Sequence, residues 1–494
     1  MAKEKNLTWI WCGIIAFVML ALCSRSSFLY KCNDWNDAQS FFTMGKAMMN
    51  GQVLYRDLFE QKGPYLYLIY GIAWIISKES FFGVYVLETI ALTICLCYSM
   101  LTMQLFCKRR VSYGLIPIMA FSICASKSFY WGGSAEEFCL PFLAISLYHM
   151  LKPLKEGKTP TIRVVLFNGI VTGIIALIKY TLLGFYAAWI GMVFFMLIGK
   201  KQWKQGIKYF GAYFLGIVVA FLPWVVYFTI NEALDDWYHC YIYVNVFLYG
   251  NGKSFFGNGI GQKVYELTKI LYWLIFDNWM YFGFIILGML GLLICRNVSW
   301  YAKIQVYFLF GLLFLGIYIG GANLFYYSLP LSIFTALGLG MIGLVVDKVS
   351  KRDWVKKELT VICGIMLIIS MMGAKKISVN TPYILGGQDD IFLYKMKAII
   401  EQEEEPTLLN YGCLDAGLYT VTGIMPTCKY YHQCNVAYEE MSTVQKNYIE
   451  EGITQFVLAR DSYPENIEKC YDLVIQEQYE QYGIEFTYYL FKRK

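Results

Sequence analysis

The sequence is poor in charge. Only 16% of its 494 residues are Asp, Glu, Lys or Arg, whereas soluble proteins carry about 25%. Hydrophobic residues make up 57% of the chain, and the mean hydropathy is +0.46. This balance argues against a large soluble core and favours a polytopic membrane protein. The net charge of +6 is small and gives no indication of nucleic-acid binding.

The sequence also lacks metal-binding and processing motifs. It contains no CxxC pair and no Cys/His cluster at zinc spacing, so no zinc site is predicted. The 15 cysteines are scattered, several of them within apolar runs. No A-x-A-like cleavage site follows the first apolar run, so we expect that run to stay as a membrane anchor.

Long apolar segments are what the chain has in abundance. Eleven candidate spans lie at 8–24, 84–107, 112–130, 137–151, 164–182, 183–199, 207–230, 278–295, 304–321, 327–346 and 358–374. We therefore predict about eleven transmembrane helices, within a range of 11–13.

A twelfth apolar run, residues 65–77, is too short to be a span. Thirteen helical residues rise about 20 Å, whereas the hydrocarbon core of a bilayer is about 30 Å thick. Pro64 stands where a first helical turn accepts proline. The pattern predicts an interfacial or re-entrant helix that begins at Pro64.

Basic residues predict the orientation of these spans. With the N-terminus in the cytoplasm and run 65–77 uncounted, every basic short loop falls on the cytoplasmic side, as the positive-inside rule requires. These cations are Lys3, Lys5, Lys108, Arg109, Arg110, Lys152, Lys155, Lys158, Arg163, Lys200, Lys201, Lys204, Lys208, Arg296, Lys303, Lys348, Lys351, Arg352, Lys356 and Lys357.

The outer face then receives four parts of the chain: a first outer loop (25–83), the short GGSAEE turn, segment 231–277, and everything after residue 374. We predict a membrane domain over 1–374 and an extracytoplasmic α/β domain over 375–494. In the latter, TLLNYG, ITQFVLAR and IEFTYYLFK resemble strands, and Tyr438–Glu451 and Asn466–Tyr482 resemble helices. The sequence leaves open whether its four cysteines, Cys413, Cys428, Cys434 and Cys470, form disulfides.

A polar stretch within the first outer loop, Asp34–Pro64, carries an unusual concentration of charge. Asn36 and Gln39 fit a capping-box pattern and predict a helix from Asp37 to Asn50 that stops at Gly51. Its apolar stripe, formed by Phe41, Met44 and Met48, predicts an amphipathic helix lying on the bilayer surface.

Two cations follow that helix. Arg56 and Lys62 together could hold a phosphate at headgroup level, Arg as a planar fork and Lys as a point charge. The simpler alternative is that they bind anionic lipid headgroups or pair with Asp57 and Glu60.

Three motifs resemble those of a known enzyme family. The run from Asp37 through YRDLFEQKGP resembles the first outer loop of GT-C fold glycosyltransferases. More narrowly, it is similar to the group that contains protein-O-mannosyltransferases and aminoarabinose transferases (family 39). GGSAEEFCLP and ANLFYYSLPL resemble two later motifs of that group. Tyr326 stands where relatives often have His, and FEQKGP is one residue longer before its Lys and carries an inserted Gly.

The resemblance implies transfer of a sugar from a polyprenyl-phosphate donor to an envelope glycan, lipid or protein acceptor. Asp37 matches the family's loop aspartate, Lys62 its lysine, and Glu136 or Glu137 its second acidic position. Because phosphate leaves as an anion, a cationic clamp suffices and no general acid is needed. An ionised carboxylate can take the proton of the acceptor hydroxyl. A single displacement would invert the anomeric centre.

These roles give a defined set of candidate residues. Asp37 is the catalytic candidate, Lys62 and Arg56 are the phosphate-binding candidates, and Glu136 and Glu137 would orient the acceptor or a metal. Secondary candidates are Asp34, Asp57, Lys179 and Tyr326. Lys179 could reach the donor phosphate, although snorkelling to the interface is the favoured alternative. No cofactor is required; a divalent cation, if bound, would take Asp37 and Glu136 as ligands.

Two other functions remain open at the level of sequence. A transporter or flippase for lipid-linked sugars would want charges in mid-span and matching broken helices. A non-enzymatic envelope scaffold would leave the loop charges unexplained. The sequence does not identify the sugar or the acceptor.

Overall fold

The computed structural model describes residues 2–248, 259–295, 298–350, 356–385, 391–436 and 438–494. The α-helices are α1 Ala2–Cys23, α2 Asn36–Met49, α3 Pro64–Ile76, α4 Phe82–Met103, α5 Arg109–Cys124, α6 Ala135–Lys155, α7 Ile162–Ala176, α8 Leu183–Gly199, α9 Trp203–Ile230, α10 Leu234–Trp237, α11 Gly259–Asp277, α12 Trp279–Ile294, α13 Trp300–Tyr318, α14 Thr335–Val349, α15 Lys356–Ile377, α16 Thr381–Leu385, α17 Phe392–Ile400, α18 Leu418–Thr422 and α19 Glu439–Glu450. A π-helix covers Tyr238–Leu248, and 3₁₀ turns cover Tyr180–Leu182, Phe325–Phe334 and Ile467–Lys469. The strands are β1 Leu408–Tyr411, β2 Phe456–Arg460, β3 Tyr471–Gln481 and β4 Ile484–Arg493.

Long apolar helices make this a multi-pass membrane protein. In the described ranges, seven helices are long and apolar enough to cross a bilayer: Asn6–Cys23, Phe82–Met103, Tyr180–Gly199, Trp203–Ile230, Trp300–Tyr318, Phe325–Val349 and Lys357–Ile377. Helices α11 and α12 would add an eighth as one span bent by 112°.

The predicted count of eleven spans stays a prediction. Helix α7, with 15 residues, rises only about 22 Å at 1.5 Å per residue. Helix α6 carries Glu136, Glu137, Lys152 and Lys155 at its two ends. Some apolar runs of the sequence coincide with helices that are short or that carry charges at their ends. Composition alone counts these helices as spans.

Parts of the sequence-based topology fall outside the described residues. Residues 249–258 of the predicted outer segment 231–277 do so, as do Arg296, Lys351 and Arg352 of the predicted cytoplasmic loops. The orientation of the termini also stays a prediction.

Contacts within the chain divide it into two compact units. Unit 1 contains 1–27, 87–223 and 253–382. Unit 2 contains 28–86, 224–252 and 383–494. The C-terminal residues therefore share a unit with most of the predicted first outer loop. The boundary predicted at residue 375 separates a membrane domain from an extracytoplasmic domain. It depends on where the membrane surface lies and stays a prediction.

Glycines allow the helices of unit 1 to pack closely. A Cβ atom on Gly184 would lie 2.0 Å from the Leu312 carbonyl oxygen, and one on Gly316 would lie 2.5 Å from the Thr181 carbonyl oxygen. Helices α8 and α13 thus meet backbone to backbone, as small residues permit in membrane proteins.

Unit 2 begins with the helix pair α2 and α3. Helix α3 starts with Pro64 at its first position, as predicted, and has 13 residues. A Cβ atom on Gly45 of α2 would lie 2.4 Å from the Gly71 backbone nitrogen of α3, so the two backbones touch. Helix α2 is buried along most of its length. The predicted location of α2 on the bilayer surface is therefore wrong, because other parts of the protein cover it.

The predicted capping box of α2 is also wrong. Trp35 occupies the N-cap position and no side chain caps the helix. The Asn36 amide instead donates 2.9 Å to the Asp415 carbonyl oxygen, and the Gln39 side-chain oxygen accepts 2.5 Å from the Thr420 hydroxyl. Tertiary partners have replaced the local capping bonds.

A mixed four-stranded sheet lies in the C-terminal part of unit 2, with the order β1-β2-β4-β3. Strands β1 and β2 are parallel, whereas β4 pairs antiparallel with β2 and β3. The strands predicted at β1, β2 and β4 and the helix predicted at α19 are confirmed. The helix predicted at Asn466–Tyr482 is wrong, because residues 471–481 form β3. Pairing with β4 along nearly its full length outweighs the helix-compatible local composition.

Candidate functional site

Asp37 lies in the first turn of α2, at the positive end of the helix dipole. Its side chain is half-buried, whereas the residues on both sides of it, Asn36 and Ala38, are buried. The carboxylate therefore belongs to a fixed backbone but remains partly accessible. A group placed in this way can take a proton from a bound acceptor.

The hairpin of β3 and β4 holds the residues just before Asp37. The Tyr482 hydroxyl donates 2.6 Å to the Asn36 side-chain oxygen and accepts 3.3 Å from the Asn36 backbone N–H. The Tyr479 hydroxyl donates 2.8 Å to Asp34, and Gln481 Nε2 donates to the Asp34 carbonyl oxygen. We call Tyr479, Gln481 and Tyr482 the hairpin clamp.

Helix α2 is also fixed further along its length. The Thr43 hydroxyl donates 2.6 Å to the Asp415 carboxylate, which also accepts 2.8 Å from the Gly417 N–H. Burial raises the pKa of Asp415, although those hydrogen bonds and the charge on Lys46 oppose the rise. Lys46 is itself buried and donates 2.6 Å to each of two carbonyl oxygens, those of Tyr419 and Ile424.

Lys46 predicts a specific pH dependence of stability. Burial lowers its pKa from 10.5 to about 7, against the opposing charges of Asp415 and Glu79. Between these pH values the unfolded chain binds more protons at this position than the folded chain, so the free energy of unfolding rises with pH. We therefore expect the melting temperature of the parent to increase relative to that of Lys46→Met when the pH is raised from 7 towards 10.

Thermal melts of the detergent-solubilised protein at a series of pH values measure this difference. Lys78→Met, which changes an exposed lysine of the same unit, is the control and should follow the parent at every pH. Equal pH profiles for the parent and Lys46→Met would contradict a depressed pKa of Lys46.

Lys62 lies against helix α2. Its Nζ atom is 5.8 Å from the centre of the Phe41 ring, and Phe41 follows Asp37 by one helical turn. Residues four apart share a helix face, so the lysine is directed towards the face of α2 that carries Asp37. The backbone around Lys62 is fixed as well: its N–H donates 3.0 Å to Glu60, and the Tyr55 hydroxyl donates 2.6 Å to its carbonyl oxygen.

Arg56 forms the ion pair that the simpler sequence interpretation proposed. Its Nε atom lies 2.8 Å from Asp57 Oδ1, and Nη1 donates 2.9 Å to the Asn231 carbonyl oxygen. Burial pushes the pKa of Asp57 upwards, but hydrogen bonds from Arg56 and from the Val53 N–H outweigh it and lower the pKa. Because Arg56 is exposed, the pair is open to competition from another anion.

A histidine of the C-terminal part contacts α2. His432 Nδ1 lies 3.0 Å from the Ser40 hydroxyl and accepts 3.2 Å from the Asp415 N–H, so its proton resides on Nε2, 3.1 Å from the Cys434 sulfur. Burial lowers the pKa of His432 to about 3, with help from the charge on Lys62. This histidine is therefore a neutral structural link at ordinary pH.

The pKa of the Cys434 thiol depends on charged groups of the first outer loop. Burial raises its pKa, as do the charges on Glu60 and Asp37, whereas Lys62 lowers it. Asp37 and Lys62 thus act on the same buried thiol. The structure brings these two predicted residues into one neighbourhood of unit 2.

The acidic turn of unit 1 is buried. Glu136 Oε1 lies 2.8 Å from Lys179 Nζ, and the two side chains are 1% and 11% exposed. Lys179 also lies 4.1 Å from the centre of the Tyr327 ring and 6.0 Å from that of Tyr326. The prediction that Lys179 snorkels is therefore wrong, because a buried carboxylate and two aromatic rings hold it.

Glu137 is bound differently. Its backbone N–H donates 3.0 Å to the Ser134 hydroxyl, and its carboxylate accepts 2.9 Å from the Gly133 N–H. The charge on Glu88, whose carboxylate accepts 2.9 Å from the Ser24 hydroxyl, acts on Glu137 as well.

Metal and disulfide chemistry receive no support from geometry. Among the described residues, no group of three or more His, Cys, Asp or Glu side chains is arranged to hold a metal ion. Cys413, Cys428, Cys434 and Cys470 are present as thiols. A role for a divalent cation stays a prediction.

Sequence reasoning missed the hairpin clamp, Asp415 and the contact between Ser40 and His432. Their partners lie hundreds of residues away, for example 446 residues between Asn36 and Tyr482. One signal was present: the Tyr-Gly pair that separates Gln481 from Ile484 fits a two-residue hairpin turn. Both residues of this turn have positive φ, 60° and 74°, as a type I′ turn requires.

No protein-family profile matches the sequence, and no curated protein sequence matches it. Solved structures do match. ArnT from Cupriavidus metallidurans bound to undecaprenyl phosphate superposes with a TM-score of 0.64 at 10% identity, covering 99% of this chain and 98% of that one. The same protein in the apo state gives 0.62 at 9% identity.

A second match is the Archaeoglobus fulgidus oligosaccharyltransferase tethered with an acceptor peptide. Its TM-score is 0.50 at 13% identity, covering 98% of this chain and 74% of that one. The chain therefore has the GT-C fold, as the loop motifs predicted.

Proposed function

We propose that the protein transfers a sugar from a polyprenyl-phosphate donor to an acceptor of the cell envelope, at the outer face of the membrane. The observation that carries this proposal is the match along 99% of the chain to a structure that holds undecaprenyl phosphate. Fold alone does not define an activity. The proposal therefore also depends on the chemistry that Asp37 and Lys62 offer in unit 2.

Asp37 is the proposed base. During transfer, the acceptor oxygen attacks the anomeric carbon while its proton passes to the Asp37 carboxylate. The bond between that carbon and the phosphate oxygen breaks, and its electron pair leaves with the polyprenyl phosphate. One displacement of this kind inverts the anomeric centre, and general-base assistance contributes about 10²–10⁴ to the rate.

Lys62 is the main proposed ligand of the donor phosphate. It is half-buried beside α2, so its charge acts with less screening by water than that of an exposed cation. Arg56 is a second ligand that must exchange Asp57 for the phosphate. This exchange is feasible because exposed ion pairs contribute only about 0–1 kcal/mol. Asp34 and Asp57 then have supporting roles, since each already accepts a hydrogen bond.

Glu136 and Glu137 are proposed to orient the acceptor, or a cation if one binds. Their contacts make this action indirect. Glu136 fixes Lys179, which lies against Tyr326 and Tyr327, and Glu137 fixes the turn at Gly133. No step of the proposed transfer requires a metal.

The transfer reaction is tested with purified protein in liposomes. Polyprenyl-phosphate sugars are added together with envelope material, and the released polyprenyl phosphate and the mass of the acceptor are followed. We expect free polyprenyl phosphate to accumulate in proportion to glycosylated acceptor. Movement of intact donor across the bilayer without bond cleavage would instead indicate the transporter alternative. Mass analysis of envelope glycans with and without the gene identifies the sugar.

The hairpin clamp predicts a catalytic effect at a distance from the substrate. Tyr482→Phe removes both hydrogen bonds that hold Asn36 next to Asp37. Each such bond contributes about 0.5–1.5 kcal/mol, so we expect kcat to fall about tenfold with an unchanged KM for the donor. Steady-state kinetics at saturating donor measure this split.

Tyr463→Phe is the matched control for the clamp. Tyr463 lies in the same unit and packs its ring on Tyr489 and Phe491, so losing its hydroxyl should leave kcat unchanged. A Tyr482→Phe variant that melts earlier but keeps the parental kcat would show that the clamp serves stability and not the position of Asp37.

A further inference from the structure

An apolar groove separates α8 from α9 in unit 1. Phe194, Leu197 and Ile198 line one wall, and Trp203, Ile207 and Phe210 line the other. Its volume is about 310 Å³, at the lower end of the range for small-molecule sites. Trp203, Ile207 and Phe210 are more than half exposed. Such a groove suits a flexible hydrocarbon chain.

Exposed lysines are next in sequence to residues that line this groove. Lys200 and Lys201 form the turn next to Gln202, which lines the groove, and Lys204 directly follows Trp203. Lys208 directly follows Ile207, and all four lysines are exposed. Within the described chain, none of them is paired with a carboxylate.

The surrounding sequence also lacks acidic residues that could neutralise these lysines. No Asp or Glu occurs between Glu156 and Glu232. Two consecutive residues span at most about 7 Å, so Lys200 and Lys201 lie within that distance of Gln202 along the chain. An apolar channel with cations at one end matches a lipid whose headgroup is anionic.

We propose that this groove binds an anionic phospholipid, with an acyl chain between α8 and α9 and the phosphate on Lys200, Lys201 and Lys204. The site is independent of the proposed sugar transfer. A positive loop on its own would attract any anionic membrane surface. The groove beside it adds a defined place for one chain, so this site should retain individual lipid molecules after extraction from the membrane.

Gly206 provides a way to fill the groove. It lines the groove, and a Cβ atom there would meet only the Phe194 ring, at 3.9 Å, which is ordinary contact. The Cβ atom of Gly206→Leu therefore fits without a clash, and the rest of the side chain extends from a residue that lines the groove. Gly211→Leu is the matched control on the same helix, since a Cβ atom at Gly211 meets nothing within 4 Å and this residue does not line the groove.

Native mass spectrometry of the detergent-solubilised protein tests the proposal with two added probes, phosphatidylglycerol and phosphatidylcholine with identical acyl chains. We expect the parent and Gly211→Leu to retain phosphatidylglycerol preferentially. Gly206→Leu should lose at least tenfold in that retention. The triple variant Lys200→Gln, Lys201→Gln, Lys204→Gln should lose about a hundredfold, at about fivefold for each charge.

Two results would overturn this site. Equal retention of both lipids by the parent would remove the role of the lysines. Unchanged retention by Gly206→Leu would remove the role of the groove. The triple lysine variant tests the site even if Gly206→Leu fails to fold, because its three substitutions lie on the surface. Since the readout is lipid retention, a failure here leaves the proposed transfer reaction untouched.

Discussion

Asp37→Asn is expected to abolish nearly all sugar transfer, lowering kcat by about 10²–10⁴-fold. Asn keeps the size and the hydrogen-bonding oxygen of Asp but cannot accept the proton of the acceptor hydroxyl. The start of the helix is held by the Tyr482 hydroxyl, which accepts from the Asn36 N–H, and by the Asp415 carbonyl oxygen, which accepts from the Asn36 side-chain amide. We therefore expect an intact fold. Release of polyprenyl phosphate per enzyme per second is the measurement.

A matched control separates the loss of the Asp37 carboxylate from the loss of any surface carboxylate. Glu439→Gln, which changes an exposed carboxylate in the first turn of α19, is the matched control and should transfer at the parental rate. A parental rate for Asp37→Asn would remove Asp37 from the mechanism.

Lys62→Met is expected to lower kcat/KM for the donor by about 10–150-fold. A hydrogen bond to a charged group contributes about 1.5–3 kcal/mol, and methionine keeps the length of the lysine while removing its charge. Lys62→Arg retains the charge and should recover much of the loss. The KM for the acceptor should not change, because only the donor carries the phosphate.

Inhibition by free polyprenyl phosphate gives a second measurement. The parent should bind this product more tightly than Lys62→Met, and Lys78→Met, an exposed lysine of the same unit, should bind it as the parent does. If Lys62→Met lost activity while keeping the parental affinity for polyprenyl phosphate, its role would lie in positioning α2 through the contact with Phe41.

The helical fold was predictable because its signals are local. Apolar runs, the short run after Pro64 and the order of the loop motifs each depend on neighbouring residues, and the GT-C fold and α3 followed from them. The capping box failed because Asn36 and Gln39 bond to tertiary partners. Residues 471–481 were wrongly predicted as helix. Their strand conformation depends on pairing with β4, and the local sequence does not show that pairing.

The site was predictable only in part. Asp37 and Lys62 lie 25 residues apart in sequence, and their motif is continuous enough to be recognised. The pairing of Lys179, which lies between α7 and α8, with Glu136 of α6 depends on tertiary packing, and no spacing in the sequence encodes it. The same holds for the bond between Thr43 and Asp415, whose partners are 372 residues apart.

The hairpin clamp has a consequence for synthesis. Asn36 is translated early, but Tyr482 follows it by 446 residues. At about 5–20 residues per second, the nascent loop waits roughly 20–90 s for the partner that fixes its backbone. During that interval the newly made chain lacks the hairpin of β3 and β4 that binds Asp34 and Asn36. Assembly of the start of α2 is thus a late event, and a ribosome that stalls before residue 482 leaves a chain in which α2 starts without these hydrogen bonds.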